Sequence, residues 1–134
     1  MVFSCFQSWE LNPWASEVAS AAAGHDLPRP GHESGAFAFA DPDHVRRIFG
    51  ASGWSAHEAQ RVSFGYVAGE GEDAISAALS FLSELGPAAR ILDTLGPDER
   101  EAAVARMRGA IERYLVGGAV VFPAAAWIWT ATAV

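Results

Sequence analysis

Apolar positions along the chain change period several times, and each change marks an element. Residues 1–6 (MVFSCF) form a short continuous apolar run, the pattern of a strand covered on both faces in a parallel sheet. Such a strand needs neighbours on both sides, so an N-terminal half of the fold is expected to precede it. Asn12-Pro13-Trp14 supplies a helix N-cap with proline at the first helical position, and the alanine-rich stretch runs on to Ala23 until Gly24. Residues 24–36 contain Pro28, Pro30, Gly31 and Gly35 and read as a surface loop. Asp41-Pro42-Asp43 repeats the helix-start signal, with Val45, Ile48 and Phe49 on one face and Gly53 as the stop. Within 57–67, Val62, Phe64 and Tyr66 alternate, which predicts a strand with one apolar face.

Helical spacing returns after Asp73. Ile75, Ala78, Leu79 and Leu82 keep it as far as Gly86-Pro87, and Ala88, Ile91, Leu92 and Leu95 resume it. Gly96-Pro97 opens a third helix with Asp98, Glu99 and Glu101 at its positive end, Arg108 and Arg113 toward its negative end, and Gly117-Gly118 beyond. Its buried stripe is Ala103, Met107, Ala110, Ile111 and Tyr114. A last strand is placed at 124–134. The order is strand, helix, helix, strand, three helices, strand, an α/β arrangement without internal repeat or low-complexity tract.

Composition narrows the function classes. At 134 residues and 51% apolar content the chain suits one domain with a real core. Sixteen acidic residues against nine basic ones, all arginine, give a net charge of -7, which disfavours nucleic acid and anionic membranes as partners. Cys5 is the only cysteine, so no intrachain disulfide can form and a reducing cytoplasm is the expected location. The N-terminus lacks the basic segment, apolar core and cleavage site of an export signal. Residues 116–134 match a membrane span in apolar content, but Gly117, Gly118 and Pro123 interrupt them, and Val, Ile, Trp and Thr dominate, which favours a strand.

Several segments resemble bacterial small-molecule methyltransferases of class I, which use S-adenosylmethionine, of the type that acts in ubiquinone and menaquinone synthesis. MVFSCFQ followed by NPW is similar to that family's fifth strand and the segment after it. GAFAFADPDHVRRIFGASGW is similar to its next loop and helix, ISAALSFLSELGPAARIL to its inserted helices, and FPAAAWIWTATA to its closing strand. The resemblance covers most of the chain. It implies that residues 1–134 are the C-terminal part of a partial Rossmann-like methyltransferase domain, with three strands of which the last runs antiparallel between the other two, and with 73–117 as an inserted helical cap. It also implies methyl transfer from the sulfonium to an O, N or C atom of a small acceptor. The first strand, its glycine-rich turn and the acidic residue for the cofactor ribose have no counterpart here, so S-adenosylmethionine is expected to need the missing half, and the chain is expected to be inactive alone.

The candidate acceptor residues are Trp9, Asn12, Trp14, Phe37, Phe39 and Arg90. Loops at the carboxyl ends of strands face the ligand crevice in such sheets, so the four aromatic side chains can wall an acceptor or simply pack helices on the sheet. Asn12 can cap a helix or bind substrate, and Arg90 can bind a substrate carboxylate or pair with an acid. Gly69-Glu70-Gly71-Glu72-Asp73-Ala74 has the form of a nucleotide-binding turn, yet its three carboxylates would repel a pyrophosphate, and it reads as an acidic capped turn. His25, His32, His44 and His57 show no metal-ligand spacing, and no nucleophile elbow is present. The contrasting reading is a non-enzymatic assembly module that recruits a partner, or a second copy as a homodimer, through an exposed sheet edge and apolar surface.

Overall fold

A computed structural model describes residues 1–133, with the side chain of Ala56 excepted. Proline opens four helices: α1 (Pro13–Ala23), α2 (Pro42–Ala51), α4 (Pro87–Leu92) and α5 (Pro97–Glu112). Its missing N–H costs nothing in the first turn, where no intrahelical acceptor exists. The fifth, α3 (Ala74–Glu84), starts instead at Asp73, whose carboxylate accepts from Ser76 N at 3.1 Å. Gly24 ends α1 in the left-handed region at φ 81°, which only glycine reaches without strain.

The strands are β1 (Val2–Phe6), β2 (Trp54–Glu70), β3 (Leu115–Val116) and β4 (Ala119–Ala133). They form one mixed-connection antiparallel sheet in the order β1-β4-β2, with β3 hairpinned onto the start of β4. Because β4 is antiparallel to both β1 and β2, those two strands run in the same direction. The register is fixed by pairs such as Phe6↔Ala126 and Arg61↔Trp127.

Side chains of β4 alternate between two apolar layers. Val120, Phe122 and Ala124 pack under α1, α3, α4 and α5 with Val18, Leu82, Leu92, Met107 and Ile111. Trp127, Trp129 and Ala131 face the other way and pack on Val45 and Phe49 of α2. The two layers are offset along the strand, so one long strand carries both.

Pro123 sits inside β4 without breaking it. Ala125 N, Val121 N and Ala131 N bond to Asn12 Oδ1, Tyr114 O and Met1 O, all on the side away from β2. Residue 123 has the same parity, so its absent N–H would have pointed into the gap between β1 and β3, and no ladder bond is lost.

Several expectations need correction. The last strand begins at Ala119 rather than 124, because Gly117-Gly118 makes a hairpin turn instead of an ending, and its expected last residue, Val134, lies outside the described residues. β2 is longer at both ends than 57–67. β1 pairs only with β4, antiparallel, and Val2 is 70% exposed, so among the described residues it is an edge strand rather than one covered on both faces. Ile48 does not share the buried face of Val45 and Phe49: those two, four residues apart, meet Trp129, whereas Ile48 turns to the rim beside Met1 and Phe39. The short helical turn Trp9–Leu11 had no periodicity to announce it. No helix among the described residues is long and apolar enough to cross a membrane.

Candidate functional site

The site forms where the chain leaves β1. Gln7 N donates to Ala125 O at 2.9 Å, the turn Trp9–Leu11 follows, and Asn12 brings the chain back to the sheet. Asn12 is fully buried. Its Nδ2 donates to Ser8 O at 3.0 Å and Ala125 O at 3.1 Å, and its Oδ1 accepts from Ala125 N at 3.1 Å and Trp14 Nε1 at 3.3 Å. Although it occupies the N-cap position of α1, its side chain makes no cap hydrogen bond. Both ends of the amide are occupied within the chain.

Trp14 lies behind the site wall, stacked on Tyr66 at 5.0 Å with the rings 5° from parallel. Burial pushes the Tyr66 phenol above its ordinary pKa. Trp9 and Phe37 meet edge to face at 5.3 Å, the arrangement the ring quadrupoles favour. Phe37 comes from the turn after Gly35, whose φ of 152° leaves little room for other residues.

Two cavities share the wall formed by Trp9, Arg29, Pro30 and Phe37. The larger, about 490 Å³, extends toward Gln7, His32, Asp41, Arg61 and Trp127. The smaller, about 330 Å³, extends toward Leu27, Pro87, Arg90 and Ile91. Of the six residues singled out in the sequence, Trp9 and Phe37 line both, and Arg90 lines the smaller, with Nη1 3.4 Å from Ser34 O. Asn12 and Trp14 stand in the wall behind. Phe39 belongs elsewhere: it is 42% exposed, packs on Phe3 at 6.3 Å, lines a separate groove along β1, and its carbonyl accepts from Cys5 Sγ. Burial raises the pKa of that thiol, with the Trp129 indole opposing.

Gln7, Arg29, Arg61 and Trp127 had no local signal as site residues. Trp127 and Arg61 become neighbours only through the β2–β4 register, with the guanidinium 5.3 Å from the indole centre. Trp127 Nε1 donates to Ala40 O at 3.0 Å and so fixes the ring.

Two polar side-chain pairs stand beside the larger cavity, Arg29 with Glu10 and His32 with Asp41. Arg29 Nε donates to Glu10 Oε1 at 2.9 Å, and this bond pulls the Glu10 pKa down. At Asp41 burial acts upward, but the Asp43 N–H and His32 outweigh it and the carboxyl lies below its ordinary value. Asp41 Oδ1 caps α2 through Asp43 N at 2.9 Å, while Oδ2 lies 3.3 Å from His32 Nε2. His32 also stacks on His44 at 3.7 Å, which ties the loop to α2.

The turn at Gly69 does not suit a phosphate or a sulfonium nucleoside. A Cβ at Gly69 would lie 2.4 Å from Ala74 O and 2.5 Å from Ala78 N, so helix backbone fills the space a ligand would need. Gly71 N donates to Gly118 O at 3.1 Å, and Asp73 occupies the helix start. Among the described residues no three His, Cys, Asp or Glu side chains gather as metal ligands. No protein-family model matches the chain, and no curated protein matches it.

Proposed function

We propose that this chain supplies the acceptor side of an S-adenosylmethionine-dependent methyltransferase of Rossmann-like fold. The observation that carries the reading is the sheet order β1-β4-β2, with the last strand reversed between two strands of common direction. That order is the one implied by the resemblance for the fifth, seventh and sixth strands. The cavities at the carboxyl end of β1 agree with it, since ligands of open α/β sheets bind outside such ends.

In this reading the chain binds and orients a small acceptor and keeps water from it. Trp9 and Phe37 give an apolar wall, the helices from α3 to α5 brace it through α1, and Arg90 stands at the rim. Positioning and water exclusion are the protein's main contributions to a direct displacement. The cofactor, when bound by a complementary half, supplies the methyl group.

Genomic sequence upstream of the Met1 codon tests the reading. We expect an in-frame extension or adjacent frame encoding a strand and a glycine-rich turn, and expect the joined protein to move labelled methyl from S-adenosylmethionine to small aromatic molecules. A stop codon with no such neighbour would instead favour an assembly module acting through the free edge of β1.

A further inference from the structure

We infer that the larger cavity is a site for a planar aromatic carboxylate, with Arg61 as the residue that selects the negative charge. The inference names an acceptor class for the reading above and rests on it only in calling the ligand an acceptor; binding is a property of this chain alone.

Arg61 lines this cavity. Its guanidinium lies 5.3 Å from the centre of the Trp127 ring, and no carboxylate lies within 4 Å of it among the described residues. The other charged groups of the cavity are already engaged: Arg29 with Glu10, and Asp41 with Asp43 N and His32. An uncompensated cation is therefore presented to a concave surface in a protein of net charge -7. Stacking on the indole leaves the planar fork free to meet two carboxylate oxygens.

A second polar group points to a ligand. Gln7 is only 6% exposed and lines the same cavity. Its Nε2 donates to Ala126 O at 2.8 Å, and among the described residues no donor reaches Oε1. A fixed amide with one open acceptor suits a hydroxyl or N–H on the ligand. The same cavity is also lined by Trp9, Leu11, Pro30 and Phe37, whose apolar surfaces suit the faces of a ring. A cavity of about 490 Å³ has room for a one- or two-ring molecule.

The test uses naphthoate and its neutral counterpart naphthamide, titrated into the full chain and followed by tryptophan fluorescence and calorimetry. We expect saturable naphthoate binding, about tenfold tighter than naphthamide, as befits one charge-assisted pair at a partly open site. Arg61→Gln is expected to erase that preference while Arg47→Gln, on α2 outside the cavity, leaves it unchanged. Arg61 is exposed on an edge strand, so a retained thermal transition separates lost binding from lost folding. Equal binding of the two probes, or an unchanged preference in Arg61→Gln, overturns the inference, as does no binding at millimolar probe. Inorganic phosphate displacing naphthoate at equal concentration would also overturn it, by making the site a general anion site. None of these outcomes bears on labelled methyl transfer, which judges the enzyme reading separately.

Discussion

Asn12 and Ala125 exchange two hydrogen bonds, Ala125 N to Oδ1 and Nδ2 to Ala125 O, both 3.1 Å. A side-chain amide thus pairs with β4 as a neighbouring strand would, one residue past the Phe6↔Ala126 pair where β1 ends. The same amide fixes the start of α1 and the turn that carries Trp9. Asn12→Ala would leave Ala125 N unsatisfied in the core and open a cavity, and we expect a loss of about 2–4 kcal/mol in urea unfolding. An unchanged midpoint would mean that the backbone groups find other partners.

Gly69 and Gly109 make a contrasting pair. The space at Gly69 is filled by the backbone of α3, so Gly69→Ala must push the helix from β2, and we expect a cost of about 2 kcal/mol or more. Gly109 lies within α5 with nothing within 4 Å of an added Cβ, and Gly109→Ala is expected to stabilise by about 0.5–1 kcal/mol. Thermal unfolding of the two variants should move in opposite directions.

Tyr114 and Glu17 tie the end of α5 to α1. Tyr114 Oη donates to Glu17 Oε2 at 2.6 Å, and burial, followed by this bond, raises the phenol from 10.0 to about 12. A folded-state pKa above the unfolded one means the stabilisation is complete below pH 10 and is lost as pH rises toward 12. Tyr66 is raised as well, so Tyr114→Phe is needed to isolate the effect. The variant should lose about 1 kcal/mol at neutral pH and show a shallower alkaline decline in urea unfolding. An equal decline would assign the alkaline loss to other groups.

The helix starts were legible because proline and capping residues act within one turn: Pro13, Pro42, Pro87 and Pro97 each stand at the first helical position, and Asp41 and Asp73 each cap as their spacing suggests. The stripe on α5 was legible for Ala103, Met107, Ala110 and Ile111, while Tyr114 lies past the helix end and is half-buried. Strand limits were harder. Pro123 looks like a break unless one knows which side of β4 is open, and that depends on β1 and Asn12, more than 100 residues earlier in the chain. The pocket was half legible. Trp9 and Phe37 lie on the segments that follow β1 in sequence, but Arg61 and Trp127 reach the pocket only through sheet register, and Asn12 uses its cap-forming amide on β4 instead.

The proposed division of labour is tested most directly by titrating S-adenosylmethionine, in a calorimeter, into this chain and into the chain joined to the cofactor-binding half that the proposal expects upstream. We expect no saturable heat from this chain alone and binding in the micromolar range, about 8 kcal/mol, from the joined protein. Submicromolar binding by this chain alone would contradict the account, because the cofactor site would then be complete within these residues.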